Sequence, residues 1–192
     1  MIAVLDDKRA GHDLTHGQLP CPTCRSPLRP WGSARSRPVR QADGSTRQVR
    51  PLRARCRTCR HTHVLFPAAC PPRSAYSTTV IGTALLGAAF GHSHRTVATD
   101  LNLPAETVRG WLRRARRGID HLYQRAAQAL VRVEPDLLTR LAPQPTPLAE
   151  ALNLLLAASS ATARTLHLET AEPWPLAAMI CGGRLLAQTR PG

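Results

Sequence analysis

Lysine is almost missing from this 192-residue chain: of its 26 basic residues only Lys8 is a lysine, and the rest are arginine. Acids are scarce as well, at 12, which leaves a formal net charge of +14. A GC-rich genome accounts for arginine in place of lysine, but not for the excess of base over acid. Long apolar runs are also lacking. The least polar stretches, around 80–90 and 148–163, are broken by Gly, Ser, Thr, Asn or Glu, which excludes a membrane span. The opening MIAVLDDKRAGHDL carries acids and no apolar core, so no secretory leader is expected. These absences predict a cytoplasmic protein in which thiols stay reduced. Six cysteines in that setting read as metal ligands before disulfides. Finally, the chain has no G-x-S-x-G, phosphate-binding loop, H-E-x-x-H or paired-carboxylate arrangement, and no enzymatic activity is expected.

What is there is unevenly spread. Residues 1–75 hold 14 Lys/Arg against 4 Asp/Glu, residues 76–133 hold 8 against 3, and residues 134–192 hold 4 against 5. A basic front joined to a neutral back suits a polyanion-binding portion attached to something else. Nucleic acid is the obvious polyanion, because neutralising phosphates releases counterions and drives binding without base contacts.

Two C-x-x-C pairs stand in the front portion, Cys21 and Cys24 in LPCPTCRSPLRPWG and Cys56 and Cys59 in RARCRTCRHTHVLFP. Two residues between cysteines let a tight turn aim both sulfurs at one ion, and two such turns complete a tetrahedron. The pattern predicts a structural Zn2+ site, since four thiolates leave no open position for water. The 31 residues between the pairs exceed the usual interval and require a long hairpin, for which the Asp43-Gly44 turn signal is suited. SPLRPWG, RQVRPLRAR and HTHVLFP read as three strands, with Pro30 and Pro51 confined to strand edges or ends. His61 and His63 are expected on a strand beside the site rather than as ligands. Cys70 and Cys181 read as plain thiols. The fold class expected is α+β, with a small antiparallel zinc ribbon and N-terminal arm over 1–72 and helices after it.

From residue 73 the composition turns apolar and helical. TTVIGTALLGAAFG predicts one helix ending near Gly91, RTVATDL a short helix, and NL a tight turn before a further helix that starts near Pro104. That is helix-turn-helix spacing. Ala98 is small enough to let the helices approach, and Asn102 sits where the turn needs a left-handed residue. Val108 and Trp111 are expected in the core. The opposite face carries Glu106, Thr107, Arg109, Gly110 and Arg113, with Arg114, Arg116 and Arg117 beyond. In a major groove the first group would meet base edges and the arginines phosphates. The unit is assigned to 73–133, closed by an amphipathic helix through Ile119, Leu122, Tyr123, Ala126, Leu130 and Val133.

A proline-rich linker is expected over 134–147. LAEALNLLLAASSATARTLHL and WPLAAMICGGRLLAQ, within 148–192, predict two apolar helices. They would cover the preceding helices, form a homo-oligomer surface, or do both.

CPTCRSPLRPWG, RARCRTCRHTHVLFP and RTVATDLNLPAETVRGWLRRARR together resemble a bacterial family of uncharacterised zinc-ribbon plus helix-turn-helix proteins. They are also similar to the N-terminal half of insertion-sequence transposases. The resemblance covers 19–117 and implies double-stranded DNA as partner and a place on the bacterial nucleoid. It implies Cys21, Cys24, Cys56 and Cys59 as ligands and a reading helix from Pro104. A transposase nuclease domain with three spaced carboxylates has no room here, because the last 59 residues hold only Glu134, Asp136, Glu150, Glu169 and Glu172. The expected function is thus a transcription regulator or a transposase-like recognition protein that does not cut. The alternative is a zinc-ribbon adaptor on RNA or on a transcription or translation complex.

Overall fold

A computed structural model describes residues 1–168, 172–183 and 185–186. It is α+β, with a β-rich N-terminal part holding four clustered cysteines and a mostly helical remainder. The N-terminal arm is more structured than its sequence suggested. Ile2–Val4 is a strand, β1, and Asp7–His16 is a helix, α1. The Asp6 carboxylate starts α1 by accepting the N–H groups of Lys8 and Arg9 at 2.8 and 3.0 Å, and Gly17 ends it at φ 71°. Ala10 and Leu14 then pack on Leu28, Ala54 and Leu65. Full burial of Leu14 is worth about 1.5–3 kcal/mol, a large share for so small a module.

Beneath α1 lies a four-stranded sheet in the order β1-β6-β5-β2, with β2 Leu28–Ser33, β5 Leu52–Cys56 and β6 Thr62–Pro67. β1 runs parallel to β6, and the other pairs are antiparallel. Period-two alternation turns Leu52, Ala54 and Cys56 toward α1 and leaves Arg53 and Arg55 on the other face. Pro30 lies on β2, an edge strand, as a residue without a ladder N–H must.

One expectation is corrected here. RQVRPLRAR is two strands, because Pro51 breaks it: Thr46–Val49 is β4, which pairs with β3 Arg37–Arg40 in a separate hairpin. The hairpin turns at Asp43-Gly44, where Gly44 has φ 82° and Asp43 accepts the Ser45 N–H at 2.9 Å. Val39 and Val49 bury Cys70 between them and the segment leading to the helices.

The helical part comprises α2 Thr78–Ala89, α3 His94–Asp100, α4 Ala105–Arg117, α5 Ile119–Val133, α6 Leu137–Arg140, α7 Pro147–Thr165 and α8 Trp174–Ile180. Ser77, Ser93 and Thr146 cap α2, α3 and α7 with their hydroxyls. Three expectations need correction. Tyr123 is 43% exposed and not part of the buried stripe of α5, which consists of Leu122, Ala126 and Leu130. The 134–147 segment is not all linker, since α6 lies within it. The last predicted helix stops at Ile180, because Gly182 and Gly183 adopt φ 67° and 78°; its positions 184 and 187–188 lie outside the described residues. One apolar cluster runs from Val80 through Trp111, Leu130 and Leu155 to Leu185. The C-terminal helices therefore share a core with α2–α5. Among the described residues, no helix is long and apolar enough to cross a membrane.

Candidate metal centre and exposed arginine helix

The four cysteines reach one place by using the same turn twice. CPTCR and CRTCR each end in an arginine of positive φ, Arg25 at 64° and Arg60 at 60°. A side chain in that conformation costs about 1–2 kcal/mol relative to right-handed backbone. Main-chain bonds hold each turn closed: Arg25 N–H to the Cys21 carbonyl at 2.9 Å, Cys21 N–H to the Ser26 carbonyl at 2.8 Å, and Cys56 N–H to the His61 carbonyl at 3.0 Å.

The result is a group of four sulfurs, all within 4.8 Å of one another, with Cys21 against Cys59 at 3.6 Å and Cys24 against Cys56 at 3.4 Å. A tetrahedral ion with metal–sulfur bonds of about 2.3 Å needs sulfurs about 3.8 Å apart. The donor set fits a metal ion.

Electrostatics point the same way. Burial pushes the Cys21 thiol up, but the N–H groups of Thr23 and Cys24 with His63 and Cys59 outweigh it and bring it to about 7. The main-chain N–H and hydroxyl of Ser26, with Cys56, lower Cys24 to about 6. Cys59 receives the His61 N–H, yet burial and the neighbouring sulfurs of Cys24, Cys56 and Cys21 drive it to about 12. Four thiolates this close cannot all ionise without a cation among them.

His63 lies on β6, as expected, and its Nε2 is 3.6 Å from the Cys21 sulfur. It is buried at 9% exposure and braces the site from outside the four-sulfur group. His61 is corrected: it belongs to the second turn and not to a strand. Cys70 and Cys181 stand apart from the group. Burial raises both, Cys181 to about 12.

The predicted helix-turn-helix residues take the positions their pattern requires. Asn102 has φ 50°, Ala98 is buried, and α4 begins directly after Pro104. Val108, Trp111, Leu112 and Ala115 are buried on one side of α4, and Tyr76 meets Trp111 edge-to-face at 5.1 Å. Arg109, Arg113, Arg114, Arg116 and Arg117 are exposed on the other, with Glu106. Thr107 is half-buried at the margin of that face. Glu106 and Arg109 pair loosely at 3.4 Å, and Arg114 donates to the Gly110 carbonyl at 3.3 Å.

Two arginines that composition alone could not single out tie the cysteine module to the helices. Arg37 donates to the carbonyls of Cys70 at 2.9 Å, Pro71 at 2.8 Å and Ser74. Arg40 exchanges main-chain bonds with Ala75 and Ser77 at 2.8 and 2.9 Å, and its guanidinium reaches the Asn102 carbonyl. The signal for them lay in the long interval between the cysteine pairs, which is this hairpin.

Residues 21–111 match a family described as a domain of unknown function (DUF6431). The matched span opens on the first cysteine and closes at Trp111, so it takes in both turns, β2–β6, α2, α3 and the first half of α4. No curated protein and no solved structure matches the chain.

Proposed function

We propose that this chain is a non-enzymatic, zinc-dependent DNA-binding protein, either a transcription regulator or the recognition component of a mobile element without its nuclease. The supporting observation is α4. It follows a left-handed turn at Asn102, buries Val108 and Trp111, and leaves five arginines exposed on its outer face. A helix so presented fits the major groove, with Arg109 and Arg113 nearest base edges and Arg114, Arg116 and Arg117 along phosphates. Arginine in the last turn also suits the helix dipole, which by itself would explain Arg116 and Arg117 but not Arg109 or Arg113.

Cys21, Cys24, Cys56 and Cys59 would hold Zn2+, which supplies folding energy to a module whose own core is small. The same four-sulfur set also accommodates iron, so elemental analysis of the purified chain decides the metal.

The test of DNA binding is duplex affinity across a salt series. Log affinity should fall linearly with log salt, with a slope of about −0.9 for each phosphate contacted. Arg114→Ala and Arg117→Ala should each reduce that slope by about 1, whereas Arg109→Ala should cost about 1–3 kcal/mol and relax sequence preference. A salt-independent affinity, or variants indistinguishable from the parent chain, would refute the reading.

A further inference from the structure

We infer that the open β2–β5 half of the sheet face turned away from α1 is a second nucleic-acid surface, on which Trp31 stacks an unpaired base of single-stranded DNA while Arg53 and Arg55 hold its phosphates. The β1–β6 half of that face is closed, with Phe66 buried against Gly183. The three tryptophans of the chain are treated very differently. Trp111 and Trp174 are 4% and 5% exposed, whereas Trp31 is 52% exposed. The backbone puts it there. Between the pairs Pro30–Ala54 and Ser33–Leu52, Trp31 and Gly32 stand opposite the single residue Arg53. That is a bulge with Gly32 at φ 84°, a device that re-aims a side chain.

The bulged indole lies on the face away from α1, where Arg55 sits over its ring at 4.6 Å. One side of the ring is thus set against a guanidinium, and the rest of its surface is open. Arg53 and Arg55 are two apart on β5 and share this face, whereas the guanidinium of Arg29, opposite Arg55 in the ladder, turns to Gly17 at the end of α1. The surrounding chain is nearly free of negative charge: between Leu14 and Thr99 the one acid is Asp43, in the distant hairpin turn.

An aromatic ring flanked by arginines on a sheet offers a π-face and phosphate partners together, which is how single strands are held without base readout. In a duplex both faces of each base are occupied by neighbours. The platform therefore suits an unpaired stretch and not the duplex proposed for α4. The surface stands independently of α4; only the choice of DNA over RNA rests on that reading.

The experiment uses the full zinc-loaded chain, with Trp31 emission followed during titration with oligothymidylate and, separately, oligouridylate. With Trp111 and Trp174 buried, the emission accessible to iodide belongs to Trp31. A saturable emission change with oligothymidylate is expected. Trp31→Ala should weaken binding about 5- to 150-fold, the equivalent of about 1–3 kcal/mol for one stacked base. Trp31→Phe should keep most of the affinity, and Arg53→Ala should flatten the salt dependence. Arg109→Ala with Arg113→Ala should leave single-strand binding within twofold, which separates this surface from α4. Unchanged emission, or Trp31→Ala within twofold of the parent at equal zinc content, would overturn the inference. So would oligouridylate bound as tightly as oligothymidylate. Should Trp31→Ala fold poorly, the parent titration and the exposed Arg53→Ala decide the matter.

Discussion

The guanidinium of Arg40 donates a hydrogen bond at 2.9 Å to the main-chain carbonyl of Asn102, 62 residues further along. Arg40 belongs to the hairpin inserted between the cysteine pairs, and Asn102 is the left-handed residue of the turn between α3 and α4. The insertion is thus a strut. It leaves the four-cysteine module, crosses to the segment before α2, and supports the turn that sets the angle of the arginine helix.

Arg40→Ala should remove that support. The contact is solvent-exposed, so the cost is modest, about 0.5–1 kcal/mol, and the melting temperature should fall by about 1–4 °C. Faster amide exchange of Leu103, whose N–H bonds the Ala98 carbonyl at 2.8 Å, is the local readout. Unchanged protection there would show that the turn holds its shape unaided.

Metal content should be close to one zinc per chain, and Cys56→Ser should abolish it. The apolar cluster around the four cysteines is small, with Ala10, Leu14, Leu28, Ala54 and Leu65 buried in it beside Cys21 and Cys56, too little to hold the sheet without metal. Strong chelation of the parent chain should likewise erase the β signal in circular dichroism. Retention of that signal after complete metal removal would show that the sheet is self-sufficient.

Two glycines on helices should respond oppositely to alanine. A Cβ on Gly82 would lie 2.0 Å from the Trp174 ring, which must then move, so Gly82→Ala should cost about 1–3 kcal/mol. A Cβ on Gly110 would meet nothing within 4 Å among the described residues, and Gly110→Ala should stabilise α4 by about 0.5–1 kcal/mol. Thermal melts of the two variants check both signs. A neutral Gly82→Ala would mean that α8 is free to leave α2.

Thr78 should tolerate loss of its hydroxyl. Its Oγ1 is buried with no hydrogen-bond partner among the described residues, and a buried orphan costs about 1–3 kcal/mol relative to an apolar group. Thr78→Val should raise the melting temperature by about 2–4 °C. A lower value would reveal a partner for that oxygen.

Much of this arrangement was readable from residue order, because the decisive signals are local. C-x-x-C followed by arginine closes the same kind of turn at both places it occurs here, with Arg25 and Arg60 at positive φ, and Asn102 before Pro104 marks a left-handed stop and a new helix. The alternation of Val108 and Trp111 against Arg109 and Arg113 assigns the faces of α4 by geometry alone. The misread segments failed for equally local reasons. RQVRPLRAR has strand character throughout, but Pro51 denies it one continuous ladder. The α1 helix announced itself only through Asp6 and Gly17, a capping pattern with few apolar residues between.

Residue order by itself determined two matching cysteine turns, an arginine-faced helix after a tight turn, and apolar helices to cover it, since each depends on spacings of two to four residues. Only the tertiary structure decided that Arg40 reaches Asn102, that His63 backs Cys21, and that Trp31 is left open beside Arg55. Those relations join residues tens of positions apart, or turn on one extra residue in a strand. They exist only once a sheet, a bulge and a hairpin have been folded against one another, because no local spacing encodes which distant partner a side chain will meet.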